Sequence, residues 1–181
     1  MAKKRSGWIT AAEFNEYMRT NPESRRRVEE RKARHAAAVA KLQAEIDPEH
    51  TAIRRDLAAV GWPVESLSNL VNSSASYGRA IPVLVKYLGI LRHPVMRDMT
   101  ARALTVVEAR GIAGQPLLRE LRRETDPEVR WVFANALTIA ANKDDVDEIT
   151  ALATDPAFAD VHERLNQALR NVRRGTARAE G

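Results

Sequence analysis

The stretch Asp126–Leu137, DPEVRWVFANAL, has the features of a helix start followed by an amphipathic helix. Aspartate is a good N-cap, proline fits the first helical position, and an acid at Glu128 lies near the positive end of the helix dipole. Apolar residues then recur at helical spacing, which predicts one buried face. Trp131 falls off that face, so its role depends on the rest of the chain.

A similar pattern occurs three times in the C-terminal half of the chain. The segments PVMRDMTARALTVV, PEVRWVFANALTIA and ADVHERLNQALRNV begin at Pro94, Pro127 and Ala159, in steps of 33 and 32 residues. A shorter helical segment precedes each of them. These shorter segments are 81–88, 115–122 and 146–153. A fixed period of paired helices predicts an α-solenoid, in which each pair stacks on the next.

The three copies agree best at small and apolar positions, which we expect to form the stacking core. The aligned sets are Met96, Val129 and Val161; Ala103-Leu104, Ala136-Leu137 and Ala168-Leu169; and Val107, Ala140 and Val172.

The second copy resembles the second helix of a HEAT repeat, which reads Asp-Pro-x-Val-Arg, then small residues, then Ala-Leu. The matching residues are Asp126, Pro127, Val129, Arg130, Ala134, Ala136 and Leu137. The first copy keeps the proline, Arg97 and Ala103-Leu104, and the third has His162 in place of the arginine. The resemblance covers about residues 79–172. It implies an α-solenoid that binds other macromolecules, and it implies no catalytic residues.

Composition supports an all-α fold for the 181 residues. The hydrophobic share is 44% and the aromatic share only 5%, so alanine, leucine and valine do most of the packing. Such a core suits closely spaced helices. The absence of cysteine excludes a disulfide scaffold and favours a cytoplasmic location. No apolar run approaches a membrane span, and no secretory signal follows the basic start. Richness in alanine and arginine favours a bacterial or phage genome.

The N-terminal quarter is predicted to be a helical extension. Thr10 and Glu13 form a capping box for a helix to about Arg19. Asn21-Pro22 begins a second helix, which should run to Ile46 and be broken at 46–50, IDPEH, before a further helix at 51–60. We therefore expect a basic tail and helical extension at 1–46, a HEAT-like solenoid at 47–174 and a flexible tail at 175–181.

The charge is concentrated in this extension. Residues 1–45 hold 11 basic and 6 acidic residues, which accounts for the net charge of +5 of the whole chain. The basic residues at 3–34 are candidates for holding nucleic-acid phosphates or an acidic partner. They are Lys3, Lys4, Arg5, Arg25, Arg26, Arg27, Arg31, Lys32 and Arg34. The alternative is a solvated helix face, because glutamates interrupt the run and form i,i+4 pairs.

A narrow apolar stripe follows the long helix of the extension. Its members are Val28, His35, Val39, Leu42 and Ile46. A stripe this narrow has to lie on the rest of the protein, pair with another helix or project. One hypothesis is that it joins two copies of the chain through residues 28–46.

Trp131 is the main candidate for partner binding. The repeat alignment matches it with Asp98 and Glu163, which predicts that it faces out of the core. An exposed tryptophan concentrates interface energy. The alternative is that it packs against the N-terminal helices or a loop.

Two rows of second-helix residues accompany Trp131. One row is Arg97, Arg130 and His162, and the other is Arg102, Asn135 and Gln167. We include Arg97, Arg102, Arg130 and Asn135 as candidate partner-binding residues. For Arg130 the favoured alternative is a structural ion pair with Asp126.

No motif in the chain indicates catalysis. The four histidines lack ligand-like spacing and no phosphate-binding glycine loop is present, so we expect no catalytic, metal or cofactor site. The predicted function is a protein-binding adaptor or inhibitor that uses the solenoid surface and is assisted by the basic helix. Nucleic-acid binding through residues 3–34 is the alternative.

Overall fold

The computed structural model describes residues 9–179, and side chains as far as residue 175. Within that range every regular element is helical. The α-helices are α1 (Ala11–Thr20), α2 (Pro22–Ala59), α3 (Ser68–Val71), α4 (Ile81–Leu88), α5 (Pro94–Ala103), α6 (Gly114–Arg123), α7 (Pro127–Ala140), α8 (Val146–Thr154) and α9 (His162–Ala179). Short 3-10 helices are Gly78–Ala80, Val107–Ala109, Lys143–Asp145 and Pro156–Val161. None of the helices in the described range is long and apolar enough to cross a membrane.

The chain divides into two compact units, Met1–Glu45 and Ile46–Gly181, called here the first and second unit. In the first unit, α1 begins with the expected capping box: the Thr10 side chain accepts from Glu13 N–H, and the Glu13 carboxylate accepts from Thr10 N–H. Asn21 then accepts from Ser24 N–H at 3.1 Å and starts α2. None of the described residues of this unit is buried.

The expected break at 46–50 is wrong, because α2 continues to Ala59 with Pro48 inside it. A proline within a helix removes one hydrogen bond and crowds the preceding turn. The residues that follow it are held by tertiary contacts, since Ile53 and Leu57 are fully buried in the core. Tertiary packing therefore sustains the helix although Pro48 locally disfavours it.

The second unit contains the helix pairs that the repeat predicts. Helix α4 packs on α5, α6 on α7, and α8 on α9, while α7 also packs on both α5 and α9. The aligned residues Met96, Val129 and Val161 are all buried, the first two within α5 and α7 and the third immediately before α9. The alanine-leucine pairs are buried as well: Ala103-Leu104, Ala136-Leu137 and Ala168-Leu169.

One aligned position differs from the expectation. Val107 is 65% exposed, whereas Ala140 and Val172 are buried. Helix α5 ends at Ala103, so Val107 lies in a separate 3-10 helix and not in the last turn of a second helix. At the other end of the unit, α9 is helical through Ala179 and so continues into the residues assigned to a C-terminal tail.

Asp56 connects the end of α2 to α4 within the second unit. Its carboxylate accepts hydrogen bonds from Lys86 Nζ at 2.8 Å and from the Tyr87 hydroxyl at 3.0 Å. The hydrogen bonds from Lys86, Arg55 and Tyr87 lower the pKa of Asp56 to about 2. The carboxylate therefore stays ionised well into the acid range.

Gly114 lies at a close approach between two repeats. A Cβ on this residue, the first of α6, would overlap the carboxylate of Asp145, with Cγ only 2.6 Å away. That carboxylate is buried and accepts from Gln115 Nε2 at 3.0 Å and Asn142 N–H at 2.9 Å. Because its partners hold it in place, it cannot move aside for a side chain.

Gly114→Ala is expected to lower the free energy of unfolding by about 1–3 kcal/mol, because the methyl group overpacks a site held by hydrogen bonds. Chemical denaturation followed by circular dichroism measures this. The matched control is Gly175→Ala within α9, where a Cβ would meet nothing within 4 Å among the described residues. That change should stabilise slightly, since alanine is the better helix former. Equal effects at the two sites would contradict the packing described for Gly114.

Candidate partner-binding surface

Trp131 is held on the outside of α7 by the way that helix starts. The Asp126 carboxylate accepts from Glu128 N–H at 2.9 Å and from Val129 N–H at 3.4 Å, which sets the first turn. Val129 and the residues that follow it on the same face are buried. Trp131 is 38% exposed. It faces outward, as the charged residues at the aligned positions predict.

A shallow depression of about 430 Å³ lies beside the indole. Its walls come from α5 and α7, the second helices of adjacent repeats. The lining residues are Asp98, Arg102, Pro127, Glu128, Trp131 and Val132. These six residues, with Arg164 from α9, are called the Trp131 surface below.

The α5 side of the depression is closed by an ion pair. Arg102 Nε and Nη2 donate to the two carboxylate oxygens of Asp98 at 2.7 and 3.0 Å. The hydrogen bond to Asp98 raises the pKa of the Arg102 guanidinium. Arg102 thus reaches the surface, as expected, but its charge is already balanced within its own helix.

Arg164 covers the other side of the tryptophan. Its guanidinium carbon lies 4.9 Å from the centre of the Trp131 ring, and its Nε is buried with no hydrogen-bond partner. It forms no ion pair with any side chain that the structure describes. The sequence alignment missed Arg164, because it aligns with the core residue Val132. The available signal was its position next to Glu163, the counterpart of Trp131 on the neighbouring helix.

Arg97 is used inside the fold. Its side chain is 12% exposed, with Nη1 3.4 Å from Glu120 of α6 and Nη2 2.7 Å from Glu124, the residue that follows α6. The guanidinium also stacks on Phe133 of α7, 5.2 Å from the ring centre. This arginine joins one repeat to the next and is not part of the Trp131 surface.

Arg130 has the same structural role in the following repeat. Its Nη2 donates to the Ala157 carbonyl at 2.6 Å and lies 3.2 Å from Asp160. The guanidinium stacks 4.6 Å from the Phe158 ring centre. The expected pair with Asp126 is wrong, because the Asp126 carboxylate caps α7. The structural role stands, but the partner belongs to the next repeat.

The remaining members of the two rows add little to the surface. His162 Nε2 lies 2.8 Å from the Asp155 carbonyl oxygen. Gln167 hydrogen-bonds Asn171 and Arg170 within α9. Asn135 is half-buried on α7, one turn after Trp131. The rows therefore serve mainly the internal structure of the second unit.

Several of the candidate basic residues of the first unit are paired with glutamates of the same helix. Arg26 pairs with Glu30, Arg27 with Glu23 and Lys32 with Glu29. Arg34 Nε donates to the Glu30 carbonyl at 3.4 Å. Arg25 and Arg31 are exposed and form no ion pair within the described range. Lys3, Lys4 and Arg5 lie outside the described residues.

Comparison of the chain with protein-family models, with curated proteins and with solved structures finds no match. In the described part of the chain, no group of three or more His, Asp and Glu side chains lies close enough to hold a metal ion.

Arg97→Ala is expected to lower the free energy of unfolding by about 3 kcal/mol, because it leaves Glu124 largely buried without its cation. Glu120 then keeps only the 3.5 Å contact with Arg123. Arg102→Ala, which breaks an exposed ion pair, should cost less than about 1 kcal/mol. Urea denaturation of both variants makes the comparison. Similar losses in the two would contradict the assignment of Arg97 to the interior and Arg102 to the surface.

Proposed function

We propose that this chain is a non-catalytic protein-binding module, an adaptor or inhibitor of the cytoplasm, built on a short HEAT-like solenoid. The Trp131 surface is its binding site. The observation that carries the proposal is an indole that is 38% exposed beside a depression, where the sister repeats have charged residues. A large aromatic side chain displayed in this way concentrates binding energy at protein interfaces.

The solenoid architecture is supported by how the helix pairs join. The second helices α5, α7 and α9 lie side by side, and each pairs with its own first helix. The links through Arg97 and Arg130 both run from one repeat to the next. In a solenoid each repeat contacts only its neighbours, and the row of second helices offers a continuous surface.

The chemistry of the Trp131 surface suggests what its partner carries. The depression takes an apolar side chain against the Trp131 ring, Pro127 and Val132. Arg102 is neutralised by Asp98, whereas Arg164 has no carboxylate among the described side chains. We therefore propose a partner segment with an apolar residue next to an acidic one, whose carboxylate pairs with Arg164.

Trp131→Ala is expected to weaken partner binding at least about 30-fold, which corresponds to the 2 kcal/mol of an interface hot spot. The experiment is affinity capture from the native host, followed by titration of the purified partner. The fold should persist in this variant, because the side chain is not part of the buried core, and circular dichroism checks it.

The matched control for Trp131→Ala is Val107→Ala, which truncates another exposed apolar side chain of the same unit. It should bind the captured partner like the wild type. Equal affinity of wild type and Trp131→Ala for that partner would remove the proposal. Loss of helicity in Trp131→Ala would instead assign the tryptophan to the core.

Nucleic-acid binding is the second candidate, and Arg25 and Arg31 are the observation in its favour. Both are exposed cations without an ion pair in the described range. Three of the other four basic residues at 25–34 are neutralised within the helix. A mobility-shift titration at several salt concentrations tests it, since binding to phosphates weakens steeply with salt. No shift at low salt rejects this candidate.

A further inference from the structure

None of the described apolar side chains of the first unit is buried, although Met18 and Val28 are half-buried. Val39 is 51% exposed and Leu42 37% exposed on α2, and Phe14 and Tyr17 are exposed on α1. An isolated helix whose apolar stripe has no partner gains no tertiary stabilisation from it. Such a stripe on a long, regular helix fits a second helix of the same kind.

The spacing of the stripe is that of a helical pair. Val28, His35 and Leu42 recur every seven residues, and Lys32 and Val39 lie between them at steps of four and three. Val28, His35 and Leu42 are then the d positions of a heptad repeat, and Lys32 and Val39 are the a positions. Ile46 leaves the stripe, because it is partly buried against the core of the second unit.

From this pattern we propose that two copies of the chain associate through α2 as an antiparallel pair of helices. The charges on the helix decide the orientation. Residues 22–34 hold six basic and three acidic residues, whereas residues 35–47 hold one basic and two acidic residues. A parallel pair brings the two basic halves together and sets Lys32 against Lys32 of the second copy. An antiparallel pair sets each basic half against a weakly acidic one.

The antiparallel arrangement also fixes which residues meet. An a position of one helix packs against a d position of the other, which pairs His35 with Val39, and Lys32 with Leu42, of the second copy. Both pairings are symmetric about Ala37. The centre of the pair is then the segment 36–38, where Ala36 and Ala38 lie beside the seam and their small side chains let the helices approach closely. Lys32 lays its methylene stem on Leu42 and keeps its ammonium in water.

Because the contact between the two helices is short, we expect a weak dimer whose population rises with protein concentration. Light scattering or sedimentation of the full chain over a wide concentration range measures it. Val39→Asp places a charge in the seam and should raise the concentration at half-dimerisation at least about tenfold. Ala37→Asp, two residues away on the outer face of the same helix, is the matched control and should leave it nearly unchanged. A wild type that stays monomeric throughout, or a Val39→Asp variant that still dimerises normally, would overturn the proposal.

Spin labels decide the orientation, because the chain has no cysteine and single cysteines can be labelled cleanly. The labelled variants are Glu30→Cys, Ala37→Cys and Ala44→Cys, all on the outer face. In an antiparallel pair the two labels at 30, or at 44, are offset by about 21 Å along the axis, whereas those at 37 have no offset. Pulsed electron resonance should therefore give a short distance at 37 and long distances at 30 and 44. Equal distances at the three sites mean a parallel pair and would refute the antiparallel assignment.

Discussion

The second unit depends on one kind of interaction, in which an arginine of a second helix contacts the repeat that follows. Arg97 reaches two acids at the C-terminal end of α6 and the ring of Phe133. Arg130 reaches Asp160, the Ala157 carbonyl and the ring of Phe158. In both, Nε is buried without a hydrogen-bond partner while the guanidinium lies against an aromatic ring. A planar, permanently charged group suits this double use, and lysine could not replace it. Charge pairing and stacking together set the register of one helix pair on the next.

This use of Arg97 and Arg130 determines what is left for a partner. The repeat pattern placed these two arginines in a surface row, but both make contacts inside the second unit. Trp131 and Arg164 take part in neither link, and they pack on each other without an acidic partner in the described range. The proposed binding surface is therefore smaller than the two rows of residues, and it centres on the junction of α5, α7 and α9.

The repeat signal predicted most of the second unit because its core positions are local and periodic. The pairs α4/α5, α6/α7 and α8/α9 and the buried alanine-leucine steps all follow from a period of about 33 residues. Features that depend on contacts between repeats could not be predicted in this way. The partner of Arg130 lies 30 residues away in the chain, and the position of Arg164 over Trp131 follows from how α7 and α9 pack. The effect of Pro48 was mispredicted for the same reason, since the burial of Ile53 and Leu57 sustains a helix that local rules end.

The central claim is that Trp131 is the contact point for a protein partner. The chain has three tryptophans, Trp8, Trp62 and Trp131, so replacing them with 5-fluorotryptophan gives three fluorine resonances. Substitution of each tryptophan by phenylalanine assigns them. When the partner captured by the wild-type chain is added, the Trp131 resonance should shift or broaden while that of Trp62, partly buried and packed on Tyr77, stays in place. A Trp131 resonance that does not change when the complex forms would contradict the account.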